Sequence, residues 1–334
     1  MKTAPFLSVR DLVIEYTSGD EVVHAVNGVS LDLEKGRMLG LVGETGAGKT
    51  TIAKAIMRIL PDPPARYAGG QVLLDGLDIL TLPEQEMLKL RGNKMSMIFQ
   101  DPMTALNPLM TIGEQIAEVI HLHNPELKGK DVEAKAVSML ELAGIPGERY
   151  SEYPFQFSGG MKQRVVIAIA LVCNPELILA DEPTTALDVT IQAQVLDMIS
   201  ELKERLNTSM ILITHDLGVV GETCDDMAVI YAGQIVEYGT KRDVFKNPRH
   251  PYTTGLFNSL PIMNKGAKRL VPIEGMPPDP TNLPSGCAFH PRCPKATAEC
   301  SENSVLMTEL TPGHFCRCRN CEEIIYDERS FNRG

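Results

Sequence analysis

The chain predicts an α/β fold: a parallel sheet joined by an antiparallel β subdomain, a helical subdomain and a small Cys-rich C-terminal extension. Three observations carry that expectation. A buried-type strand, Arg37 to Val42, runs into a glycine-rich loop and then a helical pattern, Thr51 to Leu60, that stops at Pro61. A second apolar run, Leu177 to Ala180, follows Asn174-Pro175 and ends in paired acids, which marks a buried parallel strand. Alternating segments, Leu7 to Tyr16 and Val22 to Leu33, read as strands of an antiparallel sheet.

Composition sets the outer bounds. At 334 residues, with 43% hydrophobic and 22% charged residues, the chain has the makeup of a globular protein of about two domains. Its net charge of -11, with no lysine- or arginine-rich run, repels a phosphate backbone and argues against a nucleic-acid partner. Met1-Lys2-Thr3-Ala4-Pro5 leads straight into strand-like sequence without the pattern of an export signal. The longest apolar stretch, Val165 to Cys173, is far short of the ~20 residues a membrane helix needs. A membrane role is therefore expected to be peripheral, through a partner.

The loop after the first buried strand is Gly43-Glu44-Thr45-Gly46-Ala47-Gly48-Lys49-Thr50, with Thr51 behind it. Strand, glycine-rich loop and helix in that order are the context of a phosphate-binding P-loop. Gly43, Gly46 and Gly48 let backbone N–H groups turn inward, and the helix start adds its dipole. Lys49 is placed to reach the β- and γ-phosphates, and the Thr50 hydroxyl to ligate Mg2+. A purely geometric glycine turn gives no reason for the Lys-Thr pair. At the end of the second strand Asp181 is placed for Mg2+, and Glu182 for a base that orients or deprotonates water. Two acids after a strand are often just a helix start, so it is their pairing with the P-loop that points to nucleotide hydrolysis.

Ser158-Gly159-Gly160 opens an apolar helix, Met161 to Cys173. Free N–H groups, a dipole and a hydroxyl make a second anion site there, although a plain helix cap explains the tripeptide taken alone. With Phe157 before it and Met161-Lys162-Gln163-Arg164 after it, this stretch resembles the signature of the ATP-binding cassette (ABC) family. Phe157 and Met161 depart from the commonest leucine and glutamine. Gln100 in Ile98-Phe99-Gln100-Asp101-Pro102 matches that family's glutamine loop. Thr184 to Asp188 matches the loop after the second strand motif, and Ile213-Thr214-His215-Asp216 the histidine switch. Tyr16 matches the aromatic residue that stacks on adenine, where a buried core tyrosine is the competing reading.

The resemblance implies a P-loop NTPase fold and a working unit of two cassettes stacked head to tail around two ATP molecules. Lys49, Thr50, Asp181 and Gln100 of one chain and the Ser158 loop of the other would hold each ATP. Gln100 would join Thr50 and Asp181 around Mg2+. His215 would contact the γ-phosphate, and Asp188 would report across the interface. Glu182, His215 and Gln100 are the implied catalytic group. The chain carries one of each motif and no long heptad run, which separates it from two-cassette translation factors and chromosome-organising proteins. The helical segments Ile112 to His121 and Asp131 to Ala143 fall in a subdomain at about 100–160, which in transporters of this family receives the membrane subunits.

The C-terminal part narrows the resemblance. The cassette is expected over 1–255, and 256–334 as a linker, proline-rich from Pro272 to Pro284, plus a Cys-rich metal-binding extension. Of eight cysteines, six lie at 287, 293, 300, 316, 318 and 321. Read from the residues, thiolates serve iron–sulfur clusters and zinc alike. The spacing Cys287-x5-Cys293-x6-Cys300 matches neither ferredoxin runs nor zinc knuckles, whereas Cys318-x2-Cys321 is zinc-like. Nearly the whole chain, including Ile98 to Pro108 and Asp181 to Gln194, resembles the ATPase subunits of bacterial oligopeptide and dipeptide importers. That resemblance implies a [4Fe-4S] cluster on Cys287, Cys293, Cys300 and Cys316, with Cys318 or Cys321 as substitutes and Zn2+ as the alternative occupant. It also implies a second ATPase subunit (heterodimer or homodimer), two transmembrane permease subunits and an extracytoplasmic solute-binding protein. The expected place of action is the cytoplasmic face of the inner membrane. Import of another solute (a nickel chelate, glutathione, an oligosaccharide) and a soluble regulatory ATPase are the rival readings.

Overall fold

The computed structural model describes residues 4–185, 187–259 and 272–321. Ala186, in the expected loop after the second strand motif, lies outside the described residues, as do 260–271 and 322–334 of the expected extension. In chain order, the amino-terminal half begins with strands β1 (Leu7–Ser18), β2 (Glu21–Leu33) and β3 (Met38–Val42) and helix α1 (Lys49–Met57). It continues through β4 (Ala65–Leu74), β5 (Leu77–Asp78), α2 (Glu84–Leu90), β6 (Met95–Ile98) and α3 (Pro102–Ala105). The helical part has α4 (Ile112–His123), α5 (Lys130–Leu142) and α6 (Gly159–Leu171). The chain then returns to β7 (Leu177–Asp181), α7 (Val189–Leu206), β8 (Ser209–Thr214), α8 (Leu217–Thr223), β9 (Asp226–Tyr231) and β10 (Gln234–Thr240). It closes with α9 (Lys241–Lys246), α10 (Pro251–Asn258), α11 (Glu299–Glu302), β11 (Thr308–Thr311) and β12 (His314–Cys316).

Two sheets result. The smaller is antiparallel in the order β2-β1-β4-β5, and the larger runs β11-β12-β10-β9-β3-β8-β7-β6. Within the larger sheet β3, β6, β7, β8 and β9 are parallel, and these strands are buried on both faces, as their continuous apolar runs require. Alternation then sorts their side chains. Leu39, Leu41, Leu177, Leu179, Ile211 and Ile213 point to a core shared with α1 and the antiparallel sheet. Met38, Val42, Ile178, Ala180, Met210 and Leu212 point to a second core shared with the helices from α4 onward.

Observed boundaries differ little from the expected ones. The helix expected from Thr51 begins at Lys49 and ends at Met57, where the cap residue Arg58, with a φ of 52, turns the chain out of the helix before Pro61. The helix expected from Met161 begins at Gly159, with Ser158 as its cap. The division at 255/256 is less sharp than expected. β12 pairs with β10 (Glu237 opposite Cys316), so the extension adds two strands to the cassette's own sheet. The proline-rich segment also docks, its Pro280 carbonyl accepting from the His24 amide at 2.9 Å. Among the described residues no helix is long and apolar enough to cross a membrane.

Candidate functional site

Four motif loops leave the carboxyl ends of neighbouring parallel strands, where α/β sheets form their ligand crevices. Gly43 follows β3, Gln100 follows β6, Asp181 and Glu182 end and follow β7, and His215 follows β8. Residues far apart in sequence thus meet at one sheet edge.

The phosphate loop is shaped by backbone that only glycine tolerates. Gly46 and Gly48 have φ of +82 and +99, and a Cβ on Gly48 would lie 2.4 Å from the Ala25 carbonyl oxygen. Lys49 is 6% exposed and its ammonium donates to the carbonyls of Gly43 at 2.7 Å and Glu44 at 2.9 Å. Burial pulls that ammonium below its ordinary range, against the opposing attraction of Glu182, Asp181 and Glu44. A triphosphate would offer it stronger acceptors than two carbonyls. Thr50, one residue on, donates its hydroxyl to Asp181 at 3.0 Å, so the two groups expected at Mg2+ already touch. Burial pushes the Asp181 carboxyl up despite that bond, and a divalent cation would favour its charged form.

Glu182 is the hub. Its φ of 45 is left-handed, an uncommon conformation for glutamate that turns the side chain toward the loops. Its carboxylate accepts from Gln100 Nε2 at 3.0 Å and Thr185 Oγ1 at 2.9 Å, and His215 Nδ1 lies 3.3 Å away. Burial pushes the carboxyl up, but Thr185, His215 and Lys49 together hold it below the usual glutamate range. An ionised, hydrogen-bonded carboxylate at the carboxyl ends of these strands, beside the Thr50–Asp181 pair and the glycine-rich loop, is equipped to orient water. Thr185 belongs to the loop matched at Thr184 to Asp188, but nothing in the sequence assigns it a role of its own, since a hydroxyl three residues after an acid carries no pattern.

The remaining expected residues lie apart from this hub. Tyr16 is half-buried in β1 against the core beside the antiparallel sheet. Ser158 caps α6, accepting from Met161 N at 3.4 Å, and it stays exposed with Gly159. Gly160 fits against Ile191, whose Cγ2 a Cβ would meet at 2.5 Å. Asp188 caps α7 and is exposed. Both helix starts are exposed, the one at Ser158 with a neutral hydroxyl cap and the one at Asp188 with a carboxylate cap.

In the Cys-rich part, Cys287, Cys293, Cys300 and Cys318 line one narrow cavity, together with His250, Phe289, Lys295 and Arg319. Backbone bonds knit its walls: Cys287 N donates to Cys300 O, His290 N to Cys287 O, and Cys293 N to His290 O. Burial raises the thiols of Cys287, Cys293 and Cys318, the last to about 12, and their mutual repulsion adds to it. Cys316, expected as the fourth ligand, is not on this cavity. It is buried in β12, its thiol engaged by Cys321, with the strand backbone paired to Glu237. The strand ends at Cys316, so the two-residue alternation that would put Cys316 and Cys318 on one face does not extend across the pair. Among the described residues no three His, Cys, Asp or Glu side chains converge tightly enough for a single ion. The cavity gathers four soft sulfurs, with the cations of Lys295 and Arg319 also on its wall.

Comparison with known proteins follows this division. Residues 26–185 match the family model described as ABC transporter, and residues 236–300 match the one described as oligopeptide/dipeptide transporter, C-terminal region. The dipeptide transport ATP-binding protein DppD of Bacillus subtilis (strain 168) is 46% identical over 314 residues, 93% of this chain and 93% of that protein. The oligopeptide transport ATP-binding protein OppD of Escherichia coli (strain K12) is 47% identical over 322 residues, 96% of this chain and 94% of that protein. Among solved structures, a dimeric post-hydrolysis state of the ATP-binding cassette MJ0796 bound to ADP and Pi superposes with a TM-score of 0.64 at 27% identity. It covers 71% of this chain and 99% of that chain.

Proposed function

This chain belongs to the ATP-binding cassette family, among the ATPase subunits of oligopeptide and dipeptide transporters, and we propose that Glu182 is its hydrolytic base. Its activity is ATP hydrolysis coupled to peptide transport. The observation that carries the residue assignment is the convergence on one carboxylate: Gln100, Thr185 and His215 meet at Glu182, next to the Thr50–Asp181 pair. Lys49 and the loop amides hold the β- and γ-phosphates, Thr50, Asp181 and Gln100 surround Mg2+, and Glu182 orients the attacking water. His215, with most of its side chain exposed, completes the γ-phosphate contacts.

The exposed Ser158 and Asp188 ends complete the nucleotide site of a second cassette, in a head-to-tail dimer. A relative solved as a dimer with ADP and Pi supports that arrangement. ATP closes the pair and switches two permease subunits, and hydrolysis resets them, all at the cytoplasmic face of the membrane. A solute-binding protein delivers the peptide. Substrate choice lies with that protein and the permeases. In the extension, Cys287, Cys293, Cys300 and Cys318 would hold an iron–sulfur cluster, which supplies a cross-link to a segment with little core of its own. The thiols ring a cavity without converging, whereas a single zinc needs four sulfurs about 2.3 Å from one point.

The test is ATPase activity of the reconstituted complex. Stimulation by a peptide-loaded binding protein supports the proposal. Equal turnover with and without permeases and binding protein would favour a free-standing regulatory ATPase instead.

A further inference from the structure

We infer that Arg292, from the Cys-rich extension, is a positioning residue of the nucleotide site: it holds and neutralises Glu44 so that the phosphate loop can receive a triphosphate. The inference rests on the nucleotide site proposed above and adds a residue that lies outside both the phosphate loop and the hydrolytic group.

Glu44 is the second residue of the loop, and a carboxylate is an awkward neighbour for a polyphosphate. Left unpaired, its charge would oppose the ligand that Lys49 and the loop amides attract. Arg292 removes that charge by geometry. It lies 248 positions away in sequence, in the short turn His290–Arg292, and its side chain is only 5% exposed. Nη1 donates to Glu44 Oε2 at 2.7 Å and Nη2 to Glu44 Oε1 at 3.0 Å, a two-pronged pair that a lysine cannot copy.

The guanidinium is itself locked in place. Nε donates to the Glu274 carbonyl at 3.0 Å, Nη1 also reaches the Tyr231 hydroxyl at 3.3 Å, and the cation lies 5.7 Å from the Tyr231 ring. Tyr231 packs in turn on Tyr252 and Phe289, with centroids 4.6 and 5.2 Å away. Tyr252 adds a second fastening, its hydroxyl accepting the Glu44 amide at 2.9 Å. Both ends of Glu44, amide and carboxylate, are therefore held by residues that follow the cassette's motifs in sequence. Arg292 also immediately precedes Cys293, a wall of the thiol cavity, so the Glu44 clamp and that cavity share one short stretch of chain.

The experiment is equilibrium binding of a fluorescent ATP analogue to the full-length chain, followed by anisotropy. The variants are Arg292→Ala, Arg292→Lys, Glu44→Gln and the double variant Arg292→Ala/Glu44→Gln. Arg292→Ala should weaken binding about tenfold or more, within the usual range of couplings between sites. Arg292→Lys should recover part of the loss, since it keeps the charge and loses the fork. The double variant should bind more tightly than Arg292→Ala alone, because the charge that needed masking has gone. A purely structural role for Arg292 predicts a lower melting temperature with unchanged affinity, or a double variant as weak as Arg292→Ala, and either result overturns the inference. If Arg292→Ala does not fold, the comparison of Arg292→Lys with wild type and Glu44→Gln still decides. Wild-type chain that binds no nucleotide would instead bring down the proposed function beneath it.

Discussion

Replacing Glu182 with glutamine changes one atom at the centre of the hydrolytic group, and the structure separates its two consequences. The left-handed backbone at φ 45 is as costly for glutamine as for glutamate, so that term cancels. A glutamine oxygen can still accept from Gln100 and Thr185, which both address the same carboxylate oxygen. The altered contact is with His215 at 3.3 Å, so the stability cost is that of about one hydrogen bond, roughly 1 kcal/mol. The catalytic cost is larger. The carboxylate is held ionised by Thr185, His215 and Lys49 despite its burial, and the amide cannot take a proton. General-base assistance contributes about 10²- to 10⁴-fold, which at 1.36 kcal/mol per tenfold is about 3–5 kcal/mol of barrier. Two measurements check this: nucleotide affinity of the purified chain, and phosphate release by the reconstituted complex. Affinity should stay within a few-fold of wild type, turnover should fall at least about a hundredfold, and a closed dimer should accumulate on ATP. Turnover within a few-fold of wild type would refute the role given to Glu182, and an equal loss of binding would make it a ligand-holding residue instead.

The other predictions concern the two ends of the chain and the interface. Cys318→Ser should lower iron and labile sulfide in protein purified without oxygen, while Cys316→Ser should leave both near wild type; the reverse pattern would return Cys316 to the ligand set. Gly43→Ala drives a Cβ to within 2.2 Å of the Ile230 carbonyl oxygen, a backbone atom in the adjoining strand. It should cost about 3 kcal/mol or more, the upper end for overpacking, and abolish nucleotide binding; calorimetry and the anisotropy assay read the two effects, and wild-type values in both would show that β3 can shift. Ser158→Arg should spare nucleotide binding to its own chain and impair the partner's site. A defect confined to its own site, measured by subunit-specific photolabelling, would contradict the head-to-tail arrangement.

Much of the nucleotide site is legible in the linear sequence because its parts are local. A phosphate loop needs glycines at fixed offsets, a lysine and a hydroxyl at the helix start, and all of these lie between Gly43 and Thr50. Paired acids at Asp181 and Glu182 announce themselves through the apolar run before them. Strand faces are legible for the same reason, since alternation assigns Leu39 and Leu41 to one core and Met38 and Val42 to the other. Signals of this kind depend on backbone geometry over a few residues, and that geometry is written next to the residues it serves.

The tertiary structure decides what depends on chain closure over long separations. It gathers Gln100, Thr185 and His215 onto Glu182. It also puts Cys318 on the wall of the thiol cavity and Cys316 in β12, whose pairing to β10 buries that thiol. The docking of Arg292 on Glu44 has no linear signal at all, since a single arginine before a cysteine is silent about a carboxylate 248 residues earlier. By itself the sequence determined the strands, the loops and the chemistry each loop can perform. Only folding decided which of those side chains share a site, because pairing across the sheet and burial of charge are settled between distant segments.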